Sequence, residues 1–271
     1  MAKTVDVPHE LREFNEAFNK LGGYRWDVAE VFHDLLDFMI ACWSPHGDKE
    51  LAERLKRKYK DDYHYLSAMM AALLRCYNES FKKRNWYDGL GTYYEIIASR
   101  SKSSALGQFF TPEGICDLLT ELNADYVNPP VNKTINDPAC GSGRLLLSFH
   151  VRAPQNTHFA CDIDPICAKM TAFNMCIHGV RGQITCGNAL DLTSDWKFGF
   201  EINRLLKFGI PSIERINANQ CAQYHSFELM VNKFKEDMKA KNEVITEEKI
   251  QQKIAEKIAK QSAITGQLSL F

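Results

Sequence analysis

The sequence predicts an α/β protein: a small parallel or mixed sheet between a helical N-terminal region and C-terminal charged helices. Two observations predict it. Between residues 133 and 186 short β runs alternate with apolar helical stretches, and strand, helix, strand in succession implies right-handed crossovers and parallel pairing. Before residue 101 apolar residues recur at three- and four-residue spacing, without β alternation. The expected regions are 1–100, helical; 101–218, the α/β core; and 219–271, charged helices and a tail.

In Trp26–Trp43, Val28, Val31, Phe32, Leu35, Leu36 and Met39 share one helical face. Ser44-Pro45-His46-Gly47 breaks that helix. Further helices are expected over Asp48–Lys58 and Tyr63–Phe81. The basic runs Arg54–Lys58 and Lys82–Arg84, with Tyr59, Tyr63, Trp86 and Tyr87 nearby, read as solvated helix faces more readily than as nucleic-acid contacts. In the core, Lys133–Asp137, Thr157–Asp162 and Gly182–Cys186 read as strands, with helices over Leu145–Val151 and Pro165–His178. Pro165 suits a first helical turn. Phe227–Lys241 reads as a helix, and Thr246 can cap another that carries Ile250, Ile254 and Ile258.

Composition removes several classes. The 271 residues carry 33 Lys plus Arg against 34 Asp plus Glu, a net charge of −1, with 45% hydrophobic residues. Wholesale disorder and a strongly basic nucleic-acid coat protein are excluded. No apolar run spans a bilayer and the first residues lack a signal-peptide core, so a cytoplasmic location is expected. Nine scattered cysteines without CxxC spacing read as reduced thiols, with no metal site expected.

Asp137-Pro138-Ala139-Cys140-Gly141-Ser142-Gly143-Arg144 lies between a strand and a helix. Glycines there admit a ligand close to the backbone, and the next helix offers free N–H groups. It is neither a Walker loop, which needs Gly-Lys-Ser/Thr, nor a complete dinucleotide fingerprint, because Leu146 holds the third glycine position. The second strand ends in Asp162, which can bind both hydroxyls of a ribose. Gly turn plus acid indicates a nucleoside-containing cofactor.

These residues resemble the S-adenosylmethionine-dependent adenine-N6 DNA methyltransferases, and among them the modification subunits of type I restriction systems. Gly107–Pro112 resembles their signature before the sheet, and DPACGSG from Asp137 their cofactor loop. Cys161–Pro165, with Met170 and Asn174-Met175, resembles the next strand and helix; Cys186–Leu190 resembles the turn after the third strand. The resemblance implies a Rossmann-like methyltransferase core, S-adenosylmethionine as cofactor, DNA as substrate, and a specificity subunit or completing chain as partner. It places Phe109, Thr111 and Pro112 around the methionine end. Asp137, Ala139, Gly141 and Gly143 would line methionine and ribose, Asp162 would take the ribose hydroxyls, and Asn188 would meet the adenine amine. The family usually has Asp at that last position; Asn keeps one acceptor and loses the charge.

The family's Asn/Asp-Pro-Pro-aromatic tetrapeptide is missing after Asn188. Its amide and a backbone carbonyl would accept from the exocyclic amine while its ring stacks on the flipped base. Asn128-Pro129-Pro130-Val131 precedes the first strand and lacks the ring, so it reads as a loop. Asn203 ends the expected fourth strand, Phe198–Ile202, and is the candidate for a degenerate site; Ile213–Ile216 is one further expected strand. Two functions follow: an adenine-N6 DNA methyltransferase, or a catalytically degenerate module that binds the cofactor and docks on DNA or the sliding clamp. The clamp enters through Gln267-Leu268-Ser269-Leu270-Phe271, which resembles the bacterial sliding-clamp-binding peptide.

Overall fold

The structure, a computed structural model, describes residues 6–23, 25–98, 110–125, 127–191 and 196–222, and beyond them 224–226, 228–229, 232–233, 235–239, 249, 251–252 and 256. The chain divides into two compact units, Met1–His225 and Ser226–Phe271. In the second, the described residues between 228 and 239 are helical and exposed.

The first unit begins with five helices: α1 (Arg12–Phe18), α2 (Val28–Trp43), α3 (Lys49–Tyr59), α4 (His64–Phe81) and α5 (Gly89–Ala98). Asp27 caps α2 by accepting from the Ala29 and Glu30 amides, and Asp48 caps α3 through Leu51 N–H. The apolar face read in α2 is buried at Val31, Phe32, Leu35, Leu36 and Met39. The basic runs are engaged inside the molecule. Lys58 and Arg54 pair with the buried Asp34, Lys82 with Glu79, and Arg84 with Glu10. Tyr59, Trp86 and Tyr87 are buried, while Tyr63 is half-buried with Lys56 Nζ 5.8 Å from its ring centroid.

Next come α6 (Glu113–Asn123), β1 (Thr134–Asp137), α7 (Arg144–Arg152), β2 (Thr157–Asp162), α8 (Pro165–Ile177), β3 (Gly182–Cys186), β4 (Phe198–Ile202) and β5 (Ile213–Ile216). The strands form one five-stranded mixed sheet in the order β1-β2-β3-β4-β5. β1, β2 and β3 are parallel; β4 is antiparallel to both β3 and β5. The antiparallel step follows from chain length. Only residues 187–197 separate β3 from β4, with no helix among the described ones, and a parallel return takes a dozen or more residues.

α8 lies against β2 and β3 and is nearly all buried, because α2 and α5 pack on its other side. Trp43 of α2 and Tyr77 of α4 both meet Phe173 of α8, at 5.3 and 6.4 Å between ring centroids. The helical region and the sheet therefore share one apolar core. Eight of the nine cysteines are buried. No helix among the described residues is long and apolar enough to cross a membrane.

Candidate cofactor cradle

Parallel pairing brings the C-terminal tips of β1 and β2 side by side, Asp137 opposite Ala160, with Asp162 two residues further on. Ligands of open α/β sheets bind at that end. Residues 138–143 cross from β1 to α7 above the tips. Gly141 and Gly143 hold φ of +56° and +91°, left-handed values that favour glycine. A Cβ at Gly141 would lie 2.8 Å from the Phe110 ring, so the close approach of ring and loop needs glycine there.

Asp162 faces the loop and is 9% exposed. One carboxylate oxygen accepts from Gly141 N–H at 2.8 Å, the other from Asp164 N–H at 2.9 Å. Asp137 accepts from Ala139 N–H at 3.2 Å. Burial raises both carboxyls above the ordinary carboxylate range; the Asp162 charge adds to the rise at Asp137, and the Asp164 charge to the rise at Asp162. A cavity of about 310 Å³ opens over this floor, lined by Phe110, Thr111, Asp137, Ala139, Gly141 and Asp162 among others. That volume is at the lower end for small-molecule sites.

The walls are anchored from α5. Asp88, fully buried, caps α5 by accepting from Gly91 N–H at 2.8 Å. It also accepts from Ser142 Oγ at 2.6 Å, Arg144 Nε at 2.7 Å and Asn174 Nδ2 at 2.8 Å. Two turns along α5, Glu95 accepts from Phe110 N–H at 3.0 Å and from Arg144 at 2.9 Å. One helix thus holds both the glycine loop and the aromatic wall. Arg144 closes the frame, its guanidinium 5.4 Å from the Phe110 ring centroid.

Of the residues expected at the cofactor, Thr111, Asp137, Ala139, Gly141 and Asp162 line the cavity. Gly143 does not; it stands behind the loop as the N-cap of α7, against Thr171. Pro112 is exposed and starts α6. Asn188 sits in the turn after β3, outside the cavity wall, and its side-chain oxygen accepts from Leu190 N–H at 3.0 Å. That Asx turn already engages the acceptor meant for an adenine amine. Phe109 and the clamp-like Gln267, Leu268, Leu270 and Phe271 lie outside the described residues.

Asn203 requires a correction. β4 runs antiparallel, so its last residues sit beside Gly182, the start of β3, at the end of the sheet opposite the cradle. Asn203 is fully buried with φ +59°. Its Nδ2 donates toward the carbonyls of Met175, Cys176 and Val180 (3.3, 3.1 and 2.9 Å), and its Oδ1 accepts from Ser212 N–H at 3.2 Å. It is a clamp on the C-terminus of α8. Asn128-Pro129-Pro130 also lies before β1, away from the cradle.

Sequence reasoning missed Asp88, Glu95 and Phe110. Asp88 had a usable signal, an Asp just ahead of a helical stretch in the N-cap position; the reach of Glu95 and Phe110 is set by tertiary packing.

The profile of the N-6 DNA Methylase family matches residues 85–220, half of the chain. The chain is similar to the type I restriction enzyme MjaVII methylase subunit of Methanocaldococcus jannaschii, 26% identical over 148 residues, 51% of this chain and 24% of that protein. It therefore spans about a quarter of that relative's length. Among solved structures it is similar to the methyltransferase subunit of a type I restriction-modification system from Streptococcus thermophilus, with a TM-score of 0.37 and 16% identity over 71% of this chain and 60% of that one. The matched stretch begins just ahead of Asp88 and contains the whole cradle: the chain belongs to the N-6 DNA methylase family.

Proposed function

We propose that the chain is the S-adenosylmethionine-binding core of an adenine-N6 DNA methyltransferase of type I restriction-modification character, Rossmann-like in its parallel half and working in the cytoplasm. The observation that carries this reading is the pair of carboxylates, buried Asp162 and half-buried Asp137, converging on a left-handed glycine loop. The group fits the donor set. It brings an ammonium and a sulfonium, which suit an acidic floor, and two ribose hydroxyls, which suit a carboxylate acceptor.

When bound, S-adenosylmethionine supplies a methyl group on a positively charged sulfur, open to attack by an amine. This chain's residues bind and orient. Asp162 would accept from the ribose hydroxyls and Asp137 would face the ammonium, while Gly141 lets the Phe110 ring lie against the loop. Phe110 and Thr111 wall off water on one side. Asp88, Glu95 and Arg144 keep loop and wall at fixed separation.

A second reading is favoured by one observation. The sequence has no Asn/Asp-Pro-Pro-aromatic after Asn188, and Asn203 stands at the wrong end of the sheet. The chain by itself would then hold cofactor without transferring methyl, with DNA and a specificity subunit or completing chain as partners. Titration calorimetry with S-adenosylmethionine tests what both readings share; saturable heat is expected, and its absence together with no thermal stabilisation would remove them. Labelled-methyl transfer to duplex DNA separates the two: transfer by the purified chain supports the first, and binding without transfer the second.

A further inference from the structure

Two carbonyls of the cradle loop are held from behind. Thr171 and Asn174 stand one turn apart on α8, both fully buried. Thr171 Oγ1 donates to the Gly141 carbonyl at 2.8 Å, and Asn174 Nδ2 to the Ser142 carbonyl at 2.8 Å. Loop and helix are in close contact, since a Cβ at Gly143 would lie 3.2 Å from the Thr171 side chain. Neither residue lines the cavity, so each can act on a ligand only through the loop.

Asn174 is the more constrained of the two. Its Nδ2 also donates to Asp88 Oδ1 at 2.8 Å, and its Oδ1 accepts from Tyr77 OH at 2.5 Å. A side-chain amide offers two N–H donors and one carbonyl oxygen, and here the fold engages all three. The phenol on one side and the two acceptors on the other fix which way the amide is turned. Tyr77 remains a donor, because burial and the Asp88 charge push its hydroxyl well above the ordinary tyrosine value.

The position demands an amide. Leucine has the size and neither function. Aspartate has the shape, but once ionised it donates nothing. It would also set a second buried carboxylate against Asp88, whose cation, Arg144, sits on its other oxygen.

We infer that Asn174 is a positioning residue for the cofactor: its amide, oriented by Tyr77, fixes the Ser142 peptide and so holds the Gly141–Gly143 turn over Asp162. Asp162 takes the Gly141 N–H from the cavity side and Asn174 takes the Ser142 carbonyl from the helix side, so the turn is gripped between them. Because Tyr77 belongs to α4, cofactor affinity depends on a residue of the helical region that does not line the cavity. The inference rests on the proposed cofactor reading for the identity of the ligand.

The test compares the full chain with Asn174→Asp, Tyr77→Phe and Asn203→Ala. Two measurements are made: calorimetry with S-adenosylmethionine, and the amide resonances of the turn without ligand. At about pH 8, Asn174→Asp should bind at least about tenfold more weakly than wild type. Two carboxyls in contact cannot both ionise cheaply and titrate as a pair; at about pH 5.5 a shared proton restores one donor, and the ratio of wild-type to variant affinity should narrow to about threefold. Neighbouring groups do not confuse that window. Arg144 stays charged, and His178, whose ring donates to the Asn174 carbonyl, is neutral there with its value lowered to about 4. Tyr77→Phe, the milder change, should weaken binding about threefold at both pH values, and it decides alone if Asn174→Asp does not fold. Asn203→Ala loosens the other end of α8; it should melt earlier and bind as wild type, which separates positioning from a general loss of stability. The Ser142 and Gly143 resonances should move in Asn174→Asp and stay in Asn203→Ala. A ratio indifferent to pH, a Tyr77→Phe variant that binds as wild type, or resonances that do not move overturns the inference. Absence of heat with the unmodified chain would instead strike the functional reading, and the resonances would still decide whether Asn174 places the turn.

Discussion

The two ends of the sheet carry acid and amide side chains of similar size, and the fold uses them in opposite ways. At the tips of β1 and β2, Asp137 and Asp162 line an open cavity, and their hydrogen bonds come from backbone N–H groups of the loop and the turn after β2. At the tip of β4, Asn203 is sealed from solvent and ties together three carbonyls and Ser212. A residue of catalytic type at a strand's end is therefore informative only once the strand's direction is known. Reversing one strand moves its tip the length of the sheet.

The largest expected effect probes the frame that supports the first end. Arg144→Ala leaves Asp88 buried opposite no cation, and breaking such a pair typically costs about 3–5 kcal/mol. A melting temperature close to wild type would show that the frame is not held this way. Asn203→Ala comes next. It strands several buried backbone groups and puts alanine at a left-handed φ, for a loss of about 2–3 kcal/mol. Cofactor affinity should not change. A variant that kept its melting temperature but lost methyl transfer would return Asn203 to the active site.

Asp162→Ala attacks the cradle itself. Hydrogen bonds to a charged group are worth about 1.5–3 kcal/mol, so S-adenosylmethionine should bind about ten- to a hundredfold more weakly by calorimetry. Because the carboxyl is raised by burial, wild-type binding should weaken as pH falls, beginning at a higher pH than that at which an ordinary aspartate protonates.

The fold has its own pH dependence. Burial lowers His158 and His178 to about 4 from an ordinary 6.5. His178 is held neutral, since Nε2 accepts from Tyr87 N–H and Nδ1 donates to the Asn174 carbonyl. The unfolded chain then binds more protons between those two values. Stability is full above 6.5 and falls as pH drops toward 4, by about 1–2 kcal/mol per histidine between pH 7 and 5. Thermal melts at the two pH values check the slope, and His158→Phe should flatten it. The smallest effect is expected from Asn188→Asp. Asn188 is outside the cavity wall, so affinity should stay within about 0.5 kcal/mol of wild type, roughly twofold. A tenfold gain would put the side chain on the adenine after all.

The parallel half of the molecule was legible because its signals are local. β2 and β3 span the residues expected and β1 differs by one; Pro165 starts α8 where first-turn chemistry puts it. The direction of β4 was not legible from its own letters, because Phe198–Ile202 reads the same either way. The signal lay beside it, in a connection too short for a parallel return. The role of Asp88 was out of reach for another reason. Its partners Ser142, Arg144 and Asn174 are more than fifty positions away in sequence, and packing alone brings them together. α6 was missed as well: a helix whose apolar stripe faces outward is tied to the core by Cys116 and Thr120, residues that carry no strong pattern.

The account's central claim is that the ribose of S-adenosylmethionine lies on Asp162 with its methionine end over Asp137. A crystal structure of the chain grown with S-adenosylmethionine addresses it most directly. Density for the whole ligand over the floor formed by Asp137, Ala139 and Asp162, with both ribose hydroxyls within hydrogen-bonding distance of the Asp162 carboxylate, is the expected result. A ligand lodged elsewhere on the molecule, or a cavity over Asp162 left empty at saturating ligand, would contradict it.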